Sequence, residues 1–201
     1  MSLTRTTRAT ITAMIATIAF GAAISSAAAS TGASVTNGVT LASASGPITL
    51  SAGGLNLICN VTLGFSLNAS IAKAPGAVVA NVLPSGAGST ISACVLGMTG
   101  EVLDHVTFNY TSFAGTLPNI AALNTNSSNF AFSLNIPMIG TDCLFTGSMN
   151  AQFVRDTGSG AITRINVSSR NSLNAPAPCP SPASLNGPMA VATPRPAIQL
   201  I

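Results

Sequence analysis

The stretch Leu57-Ile58-Cys59-Asn60-Val61-Thr62-Leu63-Gly64-Phe65-Ser66-Leu67-Asn68-Ala69-Ser70-Ile71 decides the fold class. Every odd position is apolar, and from Asn60 onward the even positions are Asn, Thr, Gly or Ser. A period of two sends successive side chains to opposite faces, so this is a strand with one buried and one solvated face. Fifteen residues is long for one strand, and Gly64 marks a bend or bulge within it.

The same device recurs along the chain. Phe145, Met149, Ala151 and Phe153 alternate with Thr146, Ser148, Asn150 and Gln152. Val102, Val106, Phe108 and Tyr110 outline a strand over 101–113, and Phe130, Phe132, Leu134 and Ile136 outline another. A shorter strand over 78–83 is bounded by Pro75-Gly76 and Pro84-Ser85-Gly86. Asp156-Thr157-Gly158-Ser159-Gly160 is a hairpin signal leading into a strand at 162–167. No window after residue 29 has the spacing of an amphipathic helix. Short alternating strands separated by turn residues predict an all-β domain over 53–201, an antiparallel β-sandwich of Ig-like or jelly-roll-like type.

Two segments stand apart from this pattern. Residues 30–52 hold two alternating pieces, Val39 with Leu41 and Ile48 with Leu50, divided at 43–47. This N-terminal segment is a candidate donor strand that could add to a neighbouring copy; the alternative is that it folds back into its own sheet. Residues 174–188 are rich in Pro and predict an extended loop around Cys179. Closing strands are expected at 189–193 and 197–201, with Pro194 and Pro196 confining that end to an edge.

The N-terminus reads as an export signal. Arg5 and Arg8 precede an apolar stretch running from Ala9 to Ile24, and Ser25-Ser26-Ala27-Ala28-Ala29 supplies small residues for cleavage. We therefore expect 1–29 to be a cleaved secretory signal. The competing reading, a membrane anchor, suits the stretch less well because Ala and Thr dominate it. After cleavage no transmembrane anchor is expected, and the protein is expected outside the cell or on a bacterial cell surface.

Composition excludes several function classes. Of 201 residues only 5 % are charged and 4 % aromatic, with a single His and no Trp. Without 1–29 there remain five basic side chains (Lys73, Arg155, Arg164, Arg170, Arg195) and four acidic ones (Glu101, Asp104, Asp142, Asp156). That is too little positive charge for a nucleic-acid footprint. The segment from Ser30 to Ala72 carries no charge. Such a surface offers little electrostatic repulsion between copies, and its strand edges lack the Lys and Glu that normally block edge pairing.

Four cysteines suit an exported protein and allow three pairings. Cys59 and Cys94 are 35 apart, Cys143 and Cys179 are 36 apart, and Cys59-Asn60-Val61-Thr62 parallels Cys143-Leu144-Phe145-Thr146. This parallel favours Cys59–Cys94 and Cys143–Cys179, one staple in each half. Both leading cysteines share the phase of the inward residues, so buried disulfides are expected. No CxxC or CxxH pair supports a metal site.

The stretches Cys143-Leu144-Phe145-Thr146-Gly147-Ser148-Met149-Asn150-Ala151, Cys179-Pro180-Ser181-Pro182-Ala183-Ser184-Leu185-Asn186-Gly187 and Gly54-Leu55-Asn56-Leu57-Ile58-Cys59-Asn60-Val61-Thr62 resemble the PraB-type alkane oxidation activators, small exported bacterial proteins. The resemblance runs over residues 45–193. It implies a secreted or surface-associated protein linked with growth on hydrocarbons and with adhesive biofilm material. That family has no catalytic motif, so no site residue carries over.

Chemistry has few carriers. His105 lies beside Asp104 and near Glu101, but neighbouring strand positions face opposite ways, and no GxSxG elbow is present. A solvent-facing His105 is the simpler expectation. Gly86-Ala87-Gly88 and Gly158-Ser159-Gly160 read as turns, not phosphate cradles. Sequons begin at Asn60, Asn68, Asn109, Asn126 and Asn166, which the Asn, Ser and Thr content largely explains. No cofactor and no enzymatic activity are expected. The functional expectation is a structural or adhesive surface protein, a fibre or biofilm-matrix subunit that associates with itself and hydrogen-bonds to polysaccharide. The alternative is a non-enzymatic accessory protein for hydrocarbon use that binds or disperses apolar molecules.

Overall fold

The computed structural model describes residues 32–200 apart from 104, 117–118 and 171. The expected signal at 1–29 lies outside the described residues. The chain forms β1 (Gly32–Val35), β2 (Leu41–Ala52), β3 (Leu55–Leu67), β4 (Ser70–Ala72) and β5 (Val78–Val82). There follow β6 (Thr90–Ser92), β7 (Thr99–Val102), β8 (Val106–Thr116), β9 (Asn119–Ile136) and β10 (Thr141–Arg155). The last strands are β11 (Ile162–Ser168), β12 (Leu173–Asn174), β13 (Ala183–Val191) and β14 (Ile198–Leu200). A 3-10 turn covers Val95–Gly97. The all-β class expected from the alternation is the class adopted.

Two long antiparallel hairpins form the frame. β2 pairs with β3 from Leu41↔Ser66 to Ala52↔Leu55, and β9 pairs with β10 from Ala122↔Val154 to Ile136↔Thr141. On one flank β3 reaches β9 by two routes, through β5 and β8 and through β6 and β7. On the other flank β10 reaches β13 through β11 and through β12, and β13 returns to β2. The ladder therefore closes on itself in the order β2-β3-β5-β8-β9-β10-β11-β13. A sandwich leaves edge strands on each sheet, whereas here hydrogen bonds run on around both flanks. The eight strands of this ring have partners on both sides.

Glycine marks the two points where a long strand changes partner. β3 leaves β6 after Thr62 and joins β5 at Phe65. Gly64 lies between, and a Cβ there would meet the Gly88 backbone at 2.9 Å. The bend or bulge expected at Gly64 is thus a partner exchange, with the β2 register unbroken past it. On the opposite flank β10 leaves β11 at Asn150 and joins β12 at Gly147, where a Cβ would collide with the Ser172 backbone.

Several boundaries differ from the sequence reading. The strand expected over 57–71 stops at Leu67, and β4 resumes at Ser70 in a second sheet. The single strand expected over 101–113 is two, β7 and β8, because its halves pair with different neighbours, β6 and β5. Residues 43–47 do not divide the N-terminal segment; β2 runs through them. Pro47 is tolerated because the β2–β13 pairs skip from Thr49↔Asn186 to Ser45↔Ala190, so the missing N–H leaves no gap in that ladder. Of the loop expected over 174–188, residues from Ala183 onward belong to β13.

Apolar side chains fill the ring. Phe65 and Phe108 each meet Phe153 edge to face, and Phe132 stacks on Phe145 at 5.1 Å. Buried hydroxyls are satisfied: Thr125 Oγ1 donates to the Ala151 carbonyl at 2.8 Å, and Ser89 Oγ accepts from the Gly64 N–H at 3.1 Å. Apolar inside and polar outside is the reverse of the order in a lipid-spanning barrel.

The ring has two unlike ends. One is capped by a three-stranded sheet in the order β14-β1-β4. Arg155 ties this cap down by donating to the carbonyls of Ile198 and Ile120, each at 2.9 Å. The other end gathers the β2–β3, β6–β7 and β9–β10 turns and the link at 175–182.

Candidate functional site

Both disulfides lie at the turn end. Cys59 on β3 bonds Cys94, just before the 3-10 turn, and Cys143 on β10 bonds Cys179 in the link between β12 and β13. These are the pairings expected from the spacing. Cys59, Cys94 and Cys143 are buried, and Cys179 is half-buried. Each bridge fastens a flank connection to one of the long hairpins.

The turns so fastened display apolar side chains. Leu55, Val95, Leu96, Met138 and Ile139 are exposed there, Leu96 to 61 % and Met138 to 67 %. Ile58 and Leu144 add exposed apolar surface on the adjoining strands. Segments 53–58, 93–98, 137–140 and 175–182 contain no charged residue. Turns are ordinarily the polar part of a β fold, so an apolar rim, with exposed Asp142 beside it at the start of β10, is a departure. Sequence reasoning missed this cluster; Pro137-Met138-Ile139-Gly140, an apolar turn between two strands, was its visible signal.

Much of the outward strand surface is built of uncharged Asn, Ser, Thr and Gln, with Glu101, Asp142 and Arg164 the exposed charges on β7, β10 and β11. Asn124 Nδ2 donates to Ser112 Oγ at 3.0 Å, Gln152 Nε2 to Asn124 Oδ1 at 3.0 Å, and Asn166 Nδ2 to Gln152 Oε1 at 3.1 Å. This is one hydrogen-bonded row across β8, β9, β10 and β11. A parallel row follows the register from Asn109 through Asn126, Asn150, Ser168 and Asn186 to Thr49. Neighbouring strands lie about 4.8 Å apart, so such rows repeat acceptors and donors at that spacing.

Of the four residues expected in a self-association strand, Ile48 and Leu50 are buried in the core, Val39 is half-buried before β2, and Leu41 is exposed. They do not form one surface. Leu41 instead borders a surface groove of about 370 Å³ with Ala42, Ser43, Gly64, Leu83 and Pro194.

Small voids lie among the described residues of the interior. A void lined by Ile48, Val61, Phe130, Phe132 and Met149 is about 20 Å³, and one under the cap by Ile71, Tyr110 and Phe113 is about 10 Å³. Neither exceeds room for about one water, far below the roughly 300 Å³ of a small-molecule site. An apolar ligand of appreciable size fits neither of these two voids.

Among the described residues no group of three or more His, Cys, Asp or Glu could hold a metal. His105 is exposed between β7 and β8; its neighbour Asp104 lies outside the described residues. Burial raises the Tyr110 hydroxyl pKa above its usual value. Two hydrogen bonds from Ser159, backbone N–H and Oγ, lower that of Asp156.

Two disulfides point to an oxidising, extracytoplasmic environment. No helix among the described residues is long and apolar enough to cross a membrane. Comparison with protein-family models, curated proteins and solved structures finds no match.

Proposed function

We propose that this is a secreted or cell-surface structural protein that associates with itself in an adhesive or biofilm-matrix material. The observation that carries the reading is the apolar rim of Leu55, Val95, Leu96, Met138 and Ile139 at the disulfide-fastened end. Apolar patches on an exported protein favour contact with another surface, and the neutral Asn, Ser and Gln rows oppose that contact with little charge repulsion. The same rows suit hydrogen bonding to polysaccharide. The closed ring moves the basis of association away from main-sheet edges and onto the rim and cap. Resemblance to the PraB-type family adds hydrocarbon-grown biofilm as the setting.

A second reading has the rim engage apolar molecules, dispersing hydrocarbons outside the cell. It draws on the same exposed side chains. Light scattering and electron microscopy of the secreted protein, with and without hexadecane droplets, separate the two. Assembly without hydrocarbon that Leu96→Ser/Met138→Ser diminishes supports the structural reading. A monomer that binds droplets through those residues supports the second, and a monomer that binds neither overturns both.

A further inference from the structure

We infer that β1 is exchanged reciprocally between two copies, joining them at their capped ends as a two-fold dimer. This rests on the self-association reading and names its partner, a second copy, and its contact. β1 is the middle strand of the cap, paired with β4 on one side and β14 on the other. Its seat is well fitted: Ala33 is buried against Ile71 across the β4 register, and the Val35 N–H donates to the Ala69 carbonyl at 2.9 Å.

The seat extends to residue 37. The Thr36 N–H donates to the Ala197 carbonyl at 2.8 Å, and Asn37 Nδ2 to the Arg195 carbonyl at 2.7 Å. From residue 40 the bonds belong to the ring, where the Thr40 carbonyl accepts from the Leu67 N–H at 2.7 Å. Gly38 and Val39 separate the two sets of contacts, bridged by the Val39 N–H donating to Asn37 Oδ1 at 3.2 Å. Gly38 has φ +70° and open space where a Cβ would stand, so it can change conformation at little cost. Opening this hinge carries 32–37 out as a unit at the cost of the single Val39–Asn37 bond, and the identical seat of a second copy restores the bonds between strand and seat. Exchange of an identical element through a short hinge is a low-cost route to a dimer.

The three steps from residue 37 to residue 40 span at most about 11 Å, so donor and acceptor caps must face each other closely. Both the strand and its seat lie at the same end, and reciprocal exchange fills both seats in one step. The two apolar turn ends then point outward, free for further contacts.

Cysteines placed at a register pair report where β1 sits. Ala33→Cys/Ile71→Cys, with Ser34→Cys/Ser70→Cys as a second pair in case the first perturbs folding, is expected to give a covalent dimer on a non-reducing gel that reverts to monomer on reduction. Gly38→Val, which strains the closed hinge, is expected to raise the dimer fraction in light scattering. If the wild type self-associates but both cysteine pairs close within one chain, exchange is overturned and self-association stands. If the wild type is monomeric throughout, both fall.

Discussion

Phe65 on β3 and Phe153 on β10 meet edge to face with ring centroids 6.0 Å apart, although their strands lie on opposite sides of the closed ladder. The contact crosses the centre of the ring and joins the two long hairpins. Phe108 reaches the same Phe153 ring at 6.2 Å from β8. Phe153→Ala should therefore cost about 3–5 kcal/mol of stability, measured by urea unfolding. A double-mutant cycle with Phe65→Ala should show coupling of about 0.5–1.5 kcal/mol; additive losses would mean that the rings do not meet.

The partner exchange on β3 makes a second set of predictions. Gly64→Ala inserts a methyl group 2.9 Å from the Gly88 backbone and should destabilise by about 1–3 kcal/mol. Ser89→Ala removes the hydroxyl that accepts from the Gly64 N–H, leaving a buried donor unpaired at a cost of about 1–3 kcal/mol. Urea midpoints equal to wild type would contradict this account of the junction.

Each disulfide closes a loop of comparable length, 35 and 36 residues. On the loop-entropy model each contributes about 3–4 kcal/mol, so Cys59→Ser/Cys94→Ser and Cys143→Ser/Cys179→Ser should lower stability similarly. Mass spectrometry of a non-reduced digest should recover Cys59 linked to Cys94 and Cys143 linked to Cys179; any other linkage refutes the pairing.

Asp156 gives a pH dependence of known sign. Ser159 bonds favour its carboxylate, so its pKa in the folded state lies below the ordinary 3.8. A depressed carboxylate contributes stability that is present above the unfolded value and lost as pH falls through the folded one. The melting-temperature advantage of wild type over Asp156→Ala should be constant above about pH 5 and shrink in more acidic solution. An advantage that grows on acidification would reverse the assignment.

Legibility in the sequence followed burial. Phe130, Phe132, Leu134 and Ile136 were readable because their inward side chains are apolar. The first half of β9 was not, because inward Thr125 and Ser127 are buried polar residues whose bonds to Ala151 and Asn129 only appear in three dimensions. The phase also shifts within β9, where Gly147↔Phe130 is followed by Met149↔Ser127, so one period cannot span the strand. The apolar rim was missed for a related reason: Leu55, Leu96 and Met138 lie far apart in sequence and meet one another's neighbourhood only through the ring.

By itself the sequence determined the strand class, the inward residues of β3 and β10 and the charge-poor composition, and it favoured the disulfide pairing that the structure shows. These depend on local period, composition and spacing, which the chain carries wherever it folds. Ring closure, the capped end, the partner changes at Gly64 and Gly147 and the gathering of the rim were decided by tertiary structure. They depend on which strands become neighbours, and alternation states only which face of a strand is buried, never which strand lies beside it.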